Sequence, residues 1–275
     1  MKNVAHAWLF DVDGVITHPE QKKVTEPQIF DEIIKRLQSG EPVAFVTGRS
    51  LSWMIDRVVN PLKERVEDKS PLQNFFGVGE KGAAWLSYDA NGQRVETVDE
   101  SISTPAYLQD EVRKLIEEQF SDSIFFDDSK RTMISTEMID GVRLEDYHAR
   151  QKVFDQKLEE LIKQRGLQDR LEVDSTTIAT DIQNREVGKD FAARKVLAWL
   201  KEKSIKPAQF IAMGDSKSDV PMAQEIHNQG LAVIFVFVGK EADRKHIKSQ
   251  NLPFPVTFTQ NNYEKGTLEY LTSTT

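Results

Sequence analysis

The sequence predicts an α/β protein, in which a doubly wound, mostly parallel sheet forms a core and an α+β cap domain is inserted into it. Apolar, strand-like runs alternate with amphipathic helical patterns up to about residue 80 and again from about residue 188. This alternation is typical of a parallel sheet covered by helices. The intervening pattern of a hairpin, short strands and separate helices is typical of an antiparallel layer. We therefore expect a core of residues 1–80 and 188–275 and a cap of residues 81–187.

In the first core segment, the sequence predicts strands and helices in strict alternation. An apolar run ends at Phe10, and a helix with a regular apolar face begins after Pro27, a residue favoured at helix starts. A second strand over residues 43–46 precedes a helix that includes Trp53 and Val58, and a short strand is expected at 75–78. This order favours neighbouring parallel strands.

The inserted segment has different signals. Asn91-Gly92 between two strand-like runs is a strong hairpin signal, and Thr104-Pro105 precedes a helical pattern. A long helix is predicted over residues 147–162. Short strands are predicted at 124–126, 132–135, 170–173 and 177–182.

The stretch from Gly77 to Gly82 matches the Gly-x-Gly-x-x-Gly dinucleotide fingerprint. That fingerprint requires a helix immediately after it, whereas a hairpin strand is predicted here. We therefore expect these glycines to form a hinge between core and cap instead.

Composition limits the classes of function. The net charge of −8 disfavours nucleic-acid binding, which normally uses a basic face. No apolar run is long enough for a membrane span. With 0 cysteines there is neither a disulfide framework nor a thiolate nucleophile, and the chain enters a strand without a signal-peptide pattern. A cytoplasmic protein is expected.

Asp11 and Asp13, one residue apart, follow the first strand and precede Gly14. Side chains at this spacing share a face if the backbone stays extended. Two neighbouring carboxylates repel unless a cation compensates, and hard oxygen ligands suit Mg²⁺. The same pattern is also that of a simple polar turn, so by itself it leaves both interpretations open.

Three further segments place polar residues after apolar runs or at helix starts. Thr47-Gly48-Arg49 follows the second strand, where a hydroxyl and backbone N–H groups can bind an anion. Gly188-Lys189 opens an amphipathic helix. Asp215 and Asp219 follow another apolar run that ends at Gly214.

In this order the four segments resemble the four motifs of the haloacid dehalogenase (HAD) superfamily. The form Val-Thr-Gly-Arg and the long segment before Lys189 are most similar to the sugar-phosphatase branch with a large α/β cap. That branch includes trehalose-phosphate, sucrose-phosphate and mannosyl-phosphoglycerate phosphatases and phosphomannomutase. Ser218 departs from the pattern, since many relatives carry Asn there, which leaves the role of that position open.

The resemblance implies a mechanism. Asp11 would be the nucleophile that forms an aspartyl-phosphate, and Asp13 the acid and base. Thr47, the Gly48 amide and Lys189 would bind the phosphoryl oxygens. Mg²⁺ would be held by Asp11, by Asp215 and by the backbone carbonyl of Asp13. Asp219 would also lie at the metal site, but it is more suited to orienting Lys189 or a metal-bound water.

The resemblance favours a phosphatase for a sugar phosphate or a related small phosphorylated metabolite. A phosphomutase and a non-catalytic phosphosugar-binding protein remain alternatives. Arg49 is a candidate for drawing in the anionic substrate. Lys130 and Arg131, in a predicted cap turn, are candidates for substrate specificity, although a solvated charged turn would have the same sequence.

Overall fold

The computed structural model describes residues 1–274, and this part of the chain divides into two compact units. Residues Met1–Thr97 and the chain from Gly188 onward form the first unit, and Val98–Val187 form the second. The chain therefore leaves the first unit once and returns to it, as expected for an insertion. No helix in the described part is both long and apolar enough to cross a membrane.

The first unit is built on a large sheet. Its strands are β1 (Lys2–Asp11), β2 (Val43–Val46), β3 (Phe75–Gly79), β4 (Ala84–Tyr88), β5 (Arg94–Val98), β10 (Ile205–Gly214), β11 (Val233–Phe237) and β12 (Val256–Phe258). Within the described residues the sheet has eight strands, in the order β12-β11-β10-β1-β2-β3-β4-β5. The strands from β12 to β3 pair in parallel, and β4 pairs antiparallel with β3. The mostly parallel α/β core predicted from the sequence is confirmed.

The helices of this unit lie between successive strands along the chain, and the last one follows β12. They are α1 (Gln28–Ser39), α2 (Leu51–Met54), α3 (Asn60–Arg65), α6 (Lys189–Glu202), α7 (Val220–Asn228), α8 (Glu241–Ser249) and α9 (Tyr263–Ser273). A π-helical turn over Ile55–Val59 joins α2 to α3, just before Pro61, which has no N–H to donate. Alternate residues of β1, including Ala7 and Leu9, pack in one core cluster with apolar residues of α6 and α7. The residues that alternate with them, Trp8 and Phe10, are buried as well, so β1 is covered on both faces, as is usual for a parallel strand.

The predicted hairpin forms, but it belongs to the first unit. Its strands, β4 and β5, extend the large sheet through pairing of β4 with β3, in which Val78 lies opposite Trp85. The boundary between the units therefore lies at Thr97/Val98 and not at residues 80/81. Gly77, Gly79 and Gly82 all lie inside the first unit, so the hinge expected at these glycines is not at the boundary between the units.

The second unit is an α+β layer. Its strands β6 (Ile124–Asp127), β7 (Ile134–Met138), β8 (Leu171–Ser175) and β9 (Ala179–Asn184) form a four-stranded antiparallel sheet within the described residues, in the order β6-β7-β9-β8. Helices α4 (Ala106–Gln119) and α5 (Leu144–Gln164) contribute Leu108, Val112, Phe154 and Leu158 to a core that includes Ile182. The strand predicted at 132–135 begins later, at Ile134.

Candidate active site

The register of three neighbouring strands brings the motif residues together. Phe10 of β1 lies opposite Met213 of β10, and Asp11 lies opposite Val46 of β2. All three strands are parallel, so their carboxyl ends meet at the same edge of the sheet. Asp11, Thr47 and Asp215 each stand at or directly after such an end, and this edge is where open α/β sheets bind ligands.

A carboxylate cluster lies at this edge. Asp11, Asp215 and Asp219 form a group among the described residues whose ligand oxygens all lie within 4.8 Å of one another. Asp11 and Asp219 are buried, with 7% and 1% of their surface exposed, whereas Asp215 is partly buried. Buried like charges at this separation are unfavourable without a compensating cation.

Lys189, the first residue of α6, supplies a cation. Its Nζ contacts Asp11 Oδ1, lies 2.8 Å from Asp219 Oδ1, and donates to the carbonyl oxygen of Val46 at 3.2 Å. Burial opposes the charge on Lys189, but the carboxylates of Asp11 and Asp219 outweigh this effect and raise its pKa above the usual value. Lys189 is therefore a fixed ammonium group and not a solvated surface lysine.

Asp219 is held by several donors besides Lys189. Its Oδ2 accepts hydrogen bonds from the backbone N–H of Asp215 at 3.2 Å and of Ser216 at 3.1 Å, and from the Ser216 hydroxyl at 3.0 Å. The Ser218 hydroxyl lies 2.7 Å from that of Ser216. Because both oxygens of Asp219 are engaged, this residue is better suited to orienting Lys189 and the loop than to binding a metal directly.

Asp215 lies against backbone on both sides. A Cβ atom added to Gly14 would come within 2.2 Å of Asp215 Oδ2, and one added to Gly239 within 1.8 Å of the Asp215 carbonyl oxygen. Burial, and next the charge of Asp219, raise the pKa of Asp215 to about 7. Burial also raises the pKa of Asp11 well above its ordinary range, although the ammonium of Lys189 opposes this.

The backbone fixes Thr47, which is 1% exposed. Its N–H donates to the carbonyl of Val78 at 2.9 Å, and its carbonyl accepts from the N–H of Lys81 at 3.1 Å. The Thr47 hydroxyl accepts the N–H of Arg49 at 3.0 Å. Lys81 in turn accepts the N–H of Gly188 at 3.0 Å through its own carbonyl, so the segments that carry Thr47 and Lys189 are joined by main-chain hydrogen bonds.

Asp13 is not part of the carboxylate cluster, although its charge, after burial and the charge of Asp219, also raises the pKa of Asp215. Asp13 Oδ2 is 3.3 Å from Nε of Arg49, and its Oδ1 is 3.5 Å from Nζ of Lys22. The guanidinium of Arg49 lies over the Trp53 ring, 5.3 Å from its centroid. Asp11 and Asp13 thus have separate partners, which suits separate chemical roles.

The donor set fits a hard divalent cation. Carboxylate oxygens are the protein ligands preferred by Mg²⁺, and the like charges of this partly or fully buried cluster are ones that a cation would offset. Asp11 and Asp215 are the side chains that would hold the ion. The sequence contains 0 cysteines, which excludes a zinc site with cysteine ligands.

Lys130 and Arg131 lie in the second unit, between β6 and β7. Lys130 Nζ lies 2.9 Å from Asp181 Oδ2, and these side chains are 9% and 7% exposed. Asp181 also accepts the hydroxyl of Ser135 at 2.6 Å. The solvated-turn alternative is therefore wrong for Lys130, whereas Arg131 is exposed.

Sequence reasoning did not find Lys22, Ser216 or Gly239. Lys22 lies in a polar loop with no motif around it, and only the folded chain brings it to Asp13. Ser216 had a usable signal, because Ser-x-x-Asp is the pattern of a capping box, which it forms with Asp219. Gly239 follows a strand distant in sequence, and no local pattern predicts its approach to Asp215.

Comparisons with known proteins give matches of fold only. No known protein-family profile and no curated protein sequence matches the chain. Among solved structures, the C-terminal domain of trehalose-6-phosphate phosphatase from Candida albicans has a TM-score of 0.64 at 13% identity, covering 97% of this chain and 91% of that one. Trehalose-6-phosphate phosphatase from Aspergillus fumigatus has a TM-score of 0.55 at 15% identity, covering 98% and 93%.

A third match is the sucrose-phosphatase of Synechocystis, solved with sucrose and phosphate. It has a TM-score of 0.55 at 14% identity and covers 98% of both chains. The matches extend over almost the whole chain and so include the inserted unit. The resemblance drawn from the four motifs is thus confirmed at the level of the fold: the chain shares the fold of these trehalose-6-phosphate and sucrose phosphatases.

Proposed function

We propose that this protein is a Mg²⁺-dependent phosphatase that hydrolyses a phosphate monoester of a sugar or a related small metabolite. The observation that carries the proposal is the buried arrangement of Asp11, Lys189 and Asp219 beside Asp215, with Asp13 held separately by its own cations. Binding alone would need neither a nucleophilic carboxylate nor a second, independently held one.

In the first half-reaction Asp11 Oδ attacks the substrate phosphorus. The bond from phosphorus to the leaving oxygen breaks, and Asp13 donates its proton to that oxygen, which releases the alcohol. In the second half-reaction a water molecule attacks the phosphorus of the aspartyl-phosphate and gives its proton to Asp13. Asp11 is then restored as a carboxylate, and inorganic phosphate leaves.

Lys189, the Thr47 hydroxyl and the Gly48 amide are assigned to the phosphoryl oxygens, where charge collects during transfer. Donors already fixed in position need no reorganisation at that moment, which makes this electrostatic stabilisation a large contribution. Lys189 meets the requirement because it is anchored by Asp219 and by the carbonyl of Val46. Thr47 meets it because its N–H and its carbonyl are both hydrogen-bonded.

Asp11, Asp215 and the backbone carbonyl of Asp13 are assigned to Mg²⁺. When bound, the ion would neutralise phosphoryl charge and favour the ionised carboxylates that burial otherwise disfavours. Asp219 is assigned to holding Lys189 in position, because both of its carboxylate oxygens already have partners.

Substrate discrimination is assigned to the inserted domain, with Arg131 as the candidate contact. The structural neighbours named above act on trehalose 6-phosphate or are sucrose phosphatases, which supports a phosphorylated sugar as the substrate class. Lys130 is assigned to holding the turn in place, since its ammonium is paired with Asp181. A cytoplasmic setting stays a prediction.

The test is phosphate release from a panel of sugar phosphates and from p-nitrophenyl phosphate, with Mg²⁺ and with excess chelator. We expect Mg²⁺-dependent release by the wild type, and a loss of several orders of magnitude in Asp11→Asn, which keeps size and removes the nucleophilic charge. Asp56→Asn, an exposed position of the same unit, is the control. Activity of Asp11→Asn close to the wild type would overturn the covalent mechanism, and transfer between sugar hydroxyls without phosphate release would indicate a mutase instead.

A further inference from the structure

Lys22 lies in a tight loop directly after the Asp11–Thr17 segment. The loop is closed by hydrogen bonds from the His18 N–H to the Lys23 carbonyl and from the Lys22 N–H to the His18 carbonyl, both of 2.9 Å. The His18 ring adds to the turn, because its Nδ1 accepts the backbone N–H of Glu20 at 3.2 Å and of Gln21 at 3.3 Å. The turn is therefore built from its own main chain and from one imidazole.

The backbone of Lys22 is in the left-handed region, with φ of 52°. Residues other than glycine, asparagine and aspartate are uncommon there and cost of order 1 kcal/mol or more. In this conformation the side chain of Lys22 reaches Asp13, with Nζ 3.5 Å from Oδ1.

Asp13 is thereby held from both sides. Arg49 Nε approaches Oδ2 at 3.3 Å and Lys22 Nζ approaches Oδ1 at 3.5 Å. A carboxylate with only one of these partners could rotate about χ2, whereas contacts at both oxygens define the plane of the group. The guanidinium of Arg49 is in turn placed by its contact with the Trp53 ring.

Stability does not account for the Lys22 contact. The side chains of Lys22 and Asp13 are 42% and 28% exposed. Ion pairs this open to solvent contribute about 0–1 kcal/mol at most, which does not exceed the backbone cost of the left-handed conformation.

We propose that Lys22 is a positioning residue that, together with Arg49, orients the carboxyl group of Asp13 toward the leaving oxygen of the substrate. This inference rests on the proposed function, in which Asp13 transfers the proton. Lys22 acts through Asp13 and does not touch the substrate. Lys22 should therefore affect kcat, and the size of the effect should depend on how strongly the leaving group needs protonation.

The test compares Lys22→Met, which keeps the length of the side chain and removes the charge, with Lys22→Arg, which keeps the charge. Lys23→Met, at the exposed neighbouring lysine, is the control for net charge. We expect Lys22→Met to lower kcat roughly tenfold or more, a part of the ~10²–10⁴ that proton transfer contributes. Lys22→Arg should restore most of the activity, and the melting temperature should stay within about 4 °C of the wild type for all three, since exposed pairs contribute about 0–1 kcal/mol.

Two further measurements separate positioning from direct contact with substrate. The loss in Lys22→Met should be larger for phenyl phosphate, whose leaving group needs a proton more, than for p-nitrophenyl phosphate. In an Asp13→Asn background the substitution Lys22→Met should have no further effect on kcat, because Lys22 acts only through the carboxyl group.

Each contrary outcome has a definite meaning. A rise in KM that persists in the Asp13→Asn background would overturn the proposal and make Lys22 a substrate contact. Wild-type kcat in Lys22→Met, with both leaving groups, would overturn it as well. Failure of the proposed function looks different, since the wild-type enzyme would then release no phosphate from any member of the panel.

Discussion

Nζ of Lys189 lies 2.8 Å from Asp219 Oδ1 and also contacts Asp11, so one ammonium group is shared by two buried carboxylates. The ammonium comes from the first turn of α6, Asp11 is the last residue of β1, and Asp219 lies in the segment that follows β10. The contact therefore ties a helix to two strand ends. A change in the charge of any of these three side chains should therefore also change the free energy of unfolding of the first unit.

Removing the cation should destabilise the protein. Lys189→Met leaves Asp11 and Asp219 without their shared partner, and breaking a buried ion pair typically costs roughly 3–5 kcal/mol. Urea unfolding in excess chelator measures the loss, with Lys201→Met, at the exposed end of the same helix, as the control. Equal midpoints for the two variants would show that the pair contributes no net stability.

Replacing the proposed acid should affect the leaving-group dependence. Asp13→Asn leaves the three carboxylates of the cluster in place, since Asp13 is not one of them. The asparagine side chain cannot transfer a proton. We expect kcat to fall ~10²–10⁴-fold for an alkyl phosphate. Steady-state rates with alkyl and p-nitrophenyl esters check this, and a loss below tenfold for the alkyl ester would assign the acid to another group.

Affinity for Mg²⁺ should rise with pH up to about pH 7. The pKa of Asp215 is about 7 in the folded protein and 3.8 in the reference state. Its proton stabilises the metal-free fold fully at low pH, and this contribution is lost as the pH rises through about 7. Mg²⁺ must displace that proton, so affinity should increase about tenfold per pH unit for each proton displaced, then level off.

Titration calorimetry at several pH values, in buffers of different ionisation enthalpy, measures both the affinity and the protons released. Asp215→Asn should bind Mg²⁺ weakly and with less dependence on pH. An affinity of the wild type that is constant between pH 5.5 and 7.5 would contradict the role of Asp215 as a ligand.

Gly14 should be intolerant of a methyl group. Gly14→Ala would place Cβ within 2.2 Å of Asp215 Oδ2, in a backbone conformation with φ of +77°. We expect displacement of the carboxylate, with a loss of Mg²⁺ affinity and activity. Gly141→Ala is a matched control, since φ is +89° but no described atom lies within 4 Å of the added Cβ. Full Mg²⁺ binding by Gly14→Ala would mean that Asp215 can move without consequence.

Arg131 should affect the natural substrate more than a small generic one. If the inserted domain supplies specificity, Arg131→Ala removes a charge-assisted hydrogen bond worth about 1.5–3 kcal/mol, and kcat/KM for the sugar phosphate should fall accordingly. The rate with p-nitrophenyl phosphate should hardly change. Arg143→Ala, at another exposed arginine of the inserted domain, is the control. Equal effects on both substrates would leave the specificity residues unlocated.

The sequence predicted the mostly parallel α/β core, because periodicity and motif order are local signals, and the structure brings Asp11, Lys189 and Asp215 from separate motifs to one edge of the sheet. It predicted the hairpin around Asn91-Gly92 correctly but assigned it to the wrong unit. A turn signal specifies a pairing between adjacent strands and does not show that β4 also pairs with β3.

Two side-chain contacts were also not predicted from the sequence. The ion pair of Lys130 with Asp181 joins residues 51 positions apart, and the contact of Lys22 with Asp13 depends on a left-handed residue that no motif indicates. Neither contact follows from residue type and spacing, since Asp181 lies in β9 and Lys22 reaches Asp13 within the folded segment between β1 and α1.

The main-chain link from Thr47 through Lys81 to Gly188 has a consequence for how this region can vary among sequences. The hydrogen bonds use the N–H and the carbonyl of residue 81, whose φ is 55°, and not its side chain. A saturation library at position 81 should therefore retain function best with glycine or asparagine, which adopt that conformation at little cost. Position 82 should accept glycine alone, because a Cβ there would lie 2.9 Å from the backbone nitrogen of Ala192. The segment would thus be recognised in distant sequences by the glycine at position 82 and by a preference for glycine or asparagine at the position before it.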